Sequence, residues 1–407
     1  MDPVTAPAAT TAPSSTAAPR LRIGVVGLGA ISQSVHLPLL ARRWDLFEIA
    51  AIADLSASRA GDVAGRYGVG ARFTSLDDLL EAHRCGACPL DGVLVATSGT
   101  HGPEVLAVVE AGLPVLCEKP LALSEAEIDA IESVEGARVL LGYMKEYDPA
   151  TAHARAELDG KRLRAVTVEV LHPSSPAQLE FARLLPPSGD IDADRLGVLI
   201  GRTETSLDAA VGTALEENWR NIYANVVLGS IVHDISLLRH LVGGIETVES
   251  ATGWADSADG PGSLEAIGTV AGGARLHLAW HYLPQYPDYR ETVTFHHDTG
   301  SVSLVFGIPY LLNGATELRV VARSGDGGEV RTEYRWKQQE AFENELVAFH
   351  ALVTAGAAPH SSTGEGRVDL VVAQTILGRL GERHGLPTGG EVQLRSVPVV
   401  GQGQLPT

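Results

Sequence analysis

Cysteine, methionine and aromatic residues are scarce in this chain, and positive charge is outnumbered. Three cysteines in 407 residues cannot form the disulfide framework of a small secreted scaffold. The Cys85-x-x-Cys88 pair has no second ligand pair at a suitable spacing to complete a zinc site, so it reads as two loop thiols of a cytoplasmic protein. With 31 Lys and Arg against 50 Asp and Glu, the formal charge is −19. That balance argues against nucleic acid or an anionic membrane as the main partner, because both select basic surface. No uninterrupted apolar run approaches the roughly 18 residues of a membrane span. The first twenty residues, MDPVTAPAATTAPSSTAAPR, lack both a basic n-region and an apolar core. They read as a disordered tail with too little apolar surface to offset ordering entropy.

What is present is an alternation of strand and helix patterns. RIGVVGLG, FEIAAIAD, DGVLVATS, PVLCEKP and RVLLGYM are apolar runs separated by helix-like segments. This rhythm predicts right-handed crossovers and a doubly wound parallel sheet, a Rossmann-type α/β domain over 21–143. Beyond it, LRAVTVEVLH, ETVESATGWA, SLEAIGTVAG, ARLHLAWHYL, ETVTFHHD, GSVSLVFG and TELRVVARS are alternating runs, several in close succession. They predict an α+β domain over 144–390 with an open, mainly antiparallel sheet. Residues 391–407 read as a loose end. In ARLHLAWHYL, alternation places His277 and His281 on one face and Leu276, Leu278 and Trp280 on the other.

The chemistry concentrates in a few places. Gly27-x-Gly29-x-x-Ser32 follows the first strand and opens a helix. Gly27 permits the tight turn, Gly29 lets backbone approach a pyrophosphate, and Ala30 and Ile31 begin the helix whose free N–H groups attract it. Asp54 closes the second strand, placed to accept the hydroxyls of an adenosine ribose. Its charge favours NAD over NADP, although Ser56 and Arg59 stand close enough to keep NADP open. Thr97, Ser98, Thr100 and His101 follow a later strand, where a ligand binds by the switch-point rule; the hydroxyls could equally cap the next helix. Glu118-Lys119-Pro120 ends the strand after that, and a lysine there can hydrogen-bond a substrate hydroxyl.

In GSIVHDISLLRH, residues 229–240, Ile231, Ile235, Leu238 and Val242 share one helical face. His233, Ser236 and His240 then point away from the core, toward solvent or a cleft. No carboxylate stands at a spacing that completes a metal site with the second-domain histidines, so no metal is expected.

Taken together, the glycine turn, the strand-end Asp54, AGLPVLCEKPLALSEAE, LLGYMKEYDP and HDISLLRHLVG resemble the Gfo/Idh/MocA oxidoreductases, over about residues 21–385. The resemblance implies an NAD(H)-dependent dehydrogenase or reductase of a sugar, sugar derivative or cyclic polyol. It makes Lys119 the group that positions the hydroxyl and His233 the acid/base, with Gly27, Gly29, Ala30, Ile31, Asp54, Thr97, Ser98, His101, Glu118 and Lys119 about the cofactor. It implies a homodimer or homotetramer formed through the second-domain sheet. Tyr143, Trp219, Arg220 and Tyr282 are candidate substrate contacts. The chain departs from the family pattern at Gly229, where many relatives carry Asp, at Ser236, where an acid is common, and at Glu146, where Arg is frequent. Two other readings share these residues: a non-catalytic NAD-binding sensor, and transient oxidation with NAD recycling.

If Asp54 reads the ribose, Asp54→Ala should weaken NAD binding and strengthen NADP binding. Titration of both nucleotides checks this, and an unmodified protein that binds NADP more tightly would contradict it.

Overall fold

Alternate residues of the first strands feed two separate cores, and this builds the first layer. The computed structural model describes residues 20–174, 178–186, 188–254 and 260–396. Nearly all of the tail expected over 1–20, and residues 397–407 of the expected loose end, lie outside them. Strands β1 (Leu21–Val26), β2 (Phe47–Ala53), β3 (Ala71–Phe73), β4 (Gly92–Val95), β5 (Val115–Cys117) and β6 (Val139–Leu141) form one sheet in the order β3-β2-β1-β4-β5-β6. All its pairings are parallel. Val93, Val95, Val115, Cys117, Val139 and Leu141 face one core; Leu94, Leu116 and Leu140 face the other. Burial on both faces is what a sheet flanked by crossover helices requires.

Helix Ala341–Ala355, expected to belong to the second half, completes that second core. Phe342, Leu346, Phe349 and Leu352 join Leu37, Leu39, Leu40 and Ile52 there. The chain thus returns to cover the sheet it left some two hundred residues earlier.

The second sheet contains β7 (Leu163–His172), β8 (Ile245–Trp254), β9 (Ser263–Val270), β10 (Ala274–Tyr282), β11 (Arg290–His297), β12 (Gly300–Phe306), β13 (Glu317–Arg323) and β14 (Glu329–Arg335). Their order is β14-β13-β12-β11-β7-β10-β9-β8. Only β7 and β10 run parallel; the other neighbours are antiparallel. Val166, Val168, Val170, Leu276, Leu278, Trp280, Val293, Phe295, Val302 and Leu304 form the covered face. Each such side chain contributes about 1.5–3 kcal/mol on leaving water. His277 is on the opposite, open face, as the alternation predicts, with Arg275 exposed beside it.

The helical run Glu217–Val242 lies against this covered face. It is 26 residues long and, by length and composition, apolar enough to cross a bilayer, yet 67% of its most apolar window is buried within the protein. That is the signature of a core helix. It is α-helical over Glu217–Asn221, wound as a π-helix over Ile222–Ile231, and α-helical again over Val232–Val242. Wider winding lets Ile222, Tyr223, Val226, Val227, Leu228 and Ile231 all be buried, leaving Gly229 and Ser230 partly open.

Two sequence expectations fail here. Ser236 is fully buried and donates to the His233 carbonyl, so it does not share the open face on which the sequence places it, whereas His233 and His240 are half-buried. Residues 391–396, read as part of a loose end, belong to a short 3-10 turn, Gly390–Ser396. Glu391 in it accepts from the backbone N–H of Glu125 at 2.9 Å, and Val392 is buried.

Candidate active site

The carboxyl ends of β1, β4 and β5 open into a cleft of about 610 Å³ whose far wall is the second sheet and the Glu217–Val242 run. Gly29, Ala30, Ile31, Thr97, Ser98, His101, Glu118, Lys119, His233 and Tyr282 line it, all of them site residues read from the sequence. Gly27 sits just behind. It has φ of +86°, and a Cβ there would lie 2.5 Å from the Ala96 carbonyl oxygen, so only glycine fits. A Cβ on Gly29 would meet nothing within 4 Å, which leaves its backbone open to an approaching group.

Asp54 stands outside the cleft lining, at the end of β2. Its carboxylate accepts from the backbone N–H of Leu28 and of Ser56, both at 2.9 Å. These bonds tie the glycine turn to the end of β2. The hydroxyl of Thr97 is buried in the cleft wall without a hydrogen-bond partner, and Thr100 donates to Glu127 at 2.7 Å. Neither caps helix Gly102–Glu110, which starts after His101. An orphaned hydroxyl beside an open glycine turn and a strand-end carboxylate fits a dinucleotide.

Lys119 follows β5, and its bond to Pro120 is cis. Its ammonium donates to the carbonyl oxygen of Gly229 at 2.5 Å, one turn before His233. The turn is held from behind: the two ring nitrogens of His101 lie 2.6 Å from the Pro120 carbonyl oxygen and 2.8 Å from that of Thr97. Glu118 pairs with the buried His36 at 2.7 Å. Burial alone would raise the Glu118 carboxyl, but the His36 hydrogen bond and nearby positive charges bring it below the ordinary range. Burial lowers the Lys119 ammonium, Glu118 partly restores it, and Lys145 lowers it further.

His233 is held well below the ordinary imidazole range, first by burial and then by Lys119 and Lys145. Its Nδ1 has no hydrogen-bond partner. The Tyr143 ring meets the imidazole edge-on at 6.2 Å. Tyr143 is itself buried and outside the cleft lining, so it packs behind the histidine.

Trp219 and Arg220 do not reach the cleft. Trp219 packs on His384 and beneath Gly253. Arg220 pairs with Glu204 at 2.7 Å and Asp208 at 2.9 Å, and donates to the Gly212 carbonyl. Both brace the junction between helices.

The structure adds residues that the sequence reading missed. Lys145 donates to Glu291 on β11 and lies 3.7 Å from Asp234. Tyr289 donates to the other Glu291 oxygen at 2.7 Å. Burial, then Glu291, push the Asp234 carboxyl well above its ordinary range; burial would also raise Glu291, but Lys145 holds it low. The two carboxyls are thus pushed in opposite directions, Asp234 up and Glu291 down. His172, Gln178, Trp280 and Tyr310 complete the wall. Glu291 is one of eight residues in its strand and 146 positions from Lys145, a distance no local pattern bridges.

A second buried polar cluster lies behind Tyr143. Arg239 bonds Asp369 and Glu146, each at 2.9 Å, and Ser361 donates to both Glu146 oxygens. Glu146, His240 and His360 bring ligand-type atoms within 4.8 Å of one another, but the guanidinium already occupies that carboxylate.

Against this geometry the comparisons are informative. Residues 21–140 match the oxidoreductase family with an NAD-binding Rossmann fold, Gfo/Idh/MocA. The match spans the first domain alone. It is 42% identical over 134 residues to inositol 2-dehydrogenase 3 of Saccharopolyspora erythraea, covering 31% of this chain and 37% of that protein. It is 33% identical over 195 residues to inositol 2-dehydrogenase 2 of the same organism, covering 45% and 54%. The chain therefore matches only about a third to a half of these relatives' length. The fold extends further: a UDP-N-acetylglucosamine 3-dehydrogenase from Acidithiobacillus ferrooxidans aligns with a TM-score of 0.64 at 21% identity, over 89% of this chain and 98% of that one. A 3-ketoreductase from Actinomadura kijaniata, solved with NADP, aligns with a TM-score of 0.64 at 17% identity, over 88% and 97%.

Burial, opposed by Arg239, raises the Glu146 carboxyl from 4.5 to about 7. A group raised on folding stabilises fully below its unfolded value and loses that contribution as pH climbs to its folded value. Stability should therefore fall by roughly 3 kcal/mol at most from this group between pH 5 and 7. Urea midpoints at the two pH values check this, and Glu146→Gln should make the decline shallower. An unchanged slope would contradict it.

Proposed function

We propose that this protein is an NAD(H)-dependent oxidoreductase that moves hydride between a bound nicotinamide and a carbinol carbon of a sugar, sugar derivative or cyclic polyol. The supporting observation is convergence. Lys119, carried by the first sheet, and His233, carried by the helix on the second, line one cleft whose near wall is the glycine turn. Residues 21–143 would bind the nucleotide and 144–390 the substrate. The relatives named as inositol dehydrogenases favour a polyhydroxylated ring as substrate.

When bound, the nicotinamide supplies the hydride chemistry. Gly29, Ala30 and Ile31 would take the pyrophosphate, Asp54 the adenosine ribose, and Thr97 and Ser98 the nicotinamide side. Lys119 holds the reacting hydroxyl by a hydrogen bond and stabilises negative charge growing on its oxygen. His233, kept neutral by burial and by two ammonium groups, accepts the hydroxyl proton in oxidation and returns it in reduction. Tyr282 and His172 on the sheet wall would contact the remaining hydroxyls. The open face of the second sheet, with His277 and Arg275, is the surface we assign to self-association into a dimer or tetramer.

Two variants test the assignment. Lys119→Ala should lower kcat by about 10²–10⁴ while leaving NAD affinity near that of the unmodified protein. Near-normal kcat would remove Lys119 from the mechanism.

In the oxidative direction the rate should depend on neutral His233. Because its ionisation lies well below 6.5, the rate should be flat with respect to this group through neutral pH and fall only in acid. His233→Asn should abolish most activity and erase that acid limb, whereas His240→Asn should leave it. The reverse result would assign the proton to the wrong histidine. Product formed without accumulating NADH would instead place the enzyme among those that recycle the cofactor.

A further inference from the structure

The connection between β7 and helix Ala193–Val211 sends one carboxylate across to the nucleotide-binding sheet. Asp190 accepts from the Ser56 hydroxyl at 2.6 Å and from the backbone N–H of Ser58 at 2.8 Å. Ser56 is two residues past Asp54, fully buried, and caps helix Ala57–Tyr67 by accepting from the Arg59 N–H at 3.0 Å. An acidic side chain from a distant segment therefore sits on the first turn of the helix that follows the ribose-reading strand.

That position has a defined meaning in a dinucleotide fold. The second strand ends beside the adenosine ribose, so a 2′-phosphate falls on the residues just after it. It would take hydroxyl, backbone N–H and guanidinium donors there. This chain has all three: Ser56, Ser58 and Arg59. Asp190 uses the first two. The Arg59 guanidinium stands 3.9 Å from Asp54, so the third is turned toward the other carboxylate.

Described residues on either side of Asp190, which is itself exposed, also bond to the first half. On one side, the Leu185 N–H donates to Gln33 at 3.0 Å, and Gln33 donates to the Leu28 carbonyl of the glycine turn at 2.8 Å. On the other, Arg195 reaches the Thr74 hydroxyl at 3.1 Å, and Asp192 caps helix Ala193–Val211. Ser206, further along that helix, donates to Glu127 of helix Glu125–Glu132. The segment is thus anchored over the ends of several strands. The Ser56 and Ser58 bonds hold the Asp190 carboxyl at about 2, so it is charged at every pH at which the enzyme would work.

We propose that Asp190 is a specificity-determining residue that fills the 2′-phosphate position of the nucleotide site, so that the chain accepts NAD(H) and rejects NADP(H). The inference rests on the cofactor reading above. It assigns the discrimination to two carboxylates from opposite ends of the fold. Asp54 hydrogen-bonds the ribose hydroxyls, and Asp190 occupies the donors that a phosphate would need.

The test is titration of the full-length protein with NADH and NADPH, followed by fluorescence, for the unmodified chain and for Asp190→Ser, Asp190→Asn and Asp190→Glu, with Asp54 intact. The neutral variants should gain about tenfold or more in NADPH affinity, as removal of one like charge from a phosphate predicts, with NADH affinity within about threefold. Asp190→Glu, which keeps the charge, should keep the rejection, and this separates electrostatics from loss of the anchor. 2′-AMP should compete for the neutral variants and not for the unmodified protein. If NADH binds and the NADH-to-NADPH ratio is unmoved in Asp190→Ser and Asp190→Asn, the role of Asp190 is overturned while the cofactor reading stands. If the unmodified protein binds neither nucleotide, both fall.

Discussion

Two ammonium groups buried in one cleft set the terms for everything around them. Lys119 and Lys145 each lower the imidazole of His233, and Lys145 lowers Lys119. Taking such charges out of water costs several kcal/mol apiece unless hydrogen bonds and counter-charges offset it. The fold supplies these from both sheets. Lys145 has Glu291 from β11; Lys119 has the carbonyl of Gly229 and, at its own backbone, Glu118. Asp234 beside them has its carboxyl pushed well above the ordinary range by burial and by Glu291. Glu118 and Glu291 thus stand against the two ammonium groups in the cleft wall.

The same arrangement joins the two halves mechanically. The Lys119–Gly229 bond connects the end of β5 to the π-wound stretch of the core run. Behind it, the Leu141 N–H at the end of β6 donates to the Ser361 carbonyl at 3.0 Å, beside the cluster of Arg239, Glu146 and Asp369. Helix Ala341–Ala355, packed into a core of the first sheet, adds a further contact between the halves.

The strands were legible because their alternation is regular: each run such as LRAVTVEVLH maps onto a single strand, Leu163–His172, with Val166, Val168 and Val170 inward. The glycine turn, Asp54 and Lys119 were legible because their chemistry is local in sequence. Helix Ala193–Val211 was not, because its first turns are largely solvent-exposed, with Leu196, Val198 and Ile200 open to water, and carry no inward stripe for periodicity to detect. Its Asp192 and Gly212 ends are a helix's start and stop signals, yet without a stripe they did not suffice. β14 was missed for a similar reason, since its residues are mostly exposed. The Lys145–Glu291–Asp234 group depends on strand register and helix packing together, which no single stretch encodes.

Gly229 shows how a departure from the family pattern is accommodated physically. A carboxylate there would face the cleft as one more anion beside Lys119; glycine instead offers its carbonyl, and the ammonium takes that dipole. A dipole stabilises the lysine less than a full charge, which agrees with the lowered ammonium. The histidine loses more. With no acid one turn back, its Nδ1 has no partner, so the ring is oriented by packing against Tyr143 and by burial, not by a hydrogen bond. An imidazole without an anionic partner is a weaker base, and two nearby ammonium groups weaken it further. Such a histidine stays neutral through neutral pH, the form that the reading above requires for accepting a hydroxyl proton.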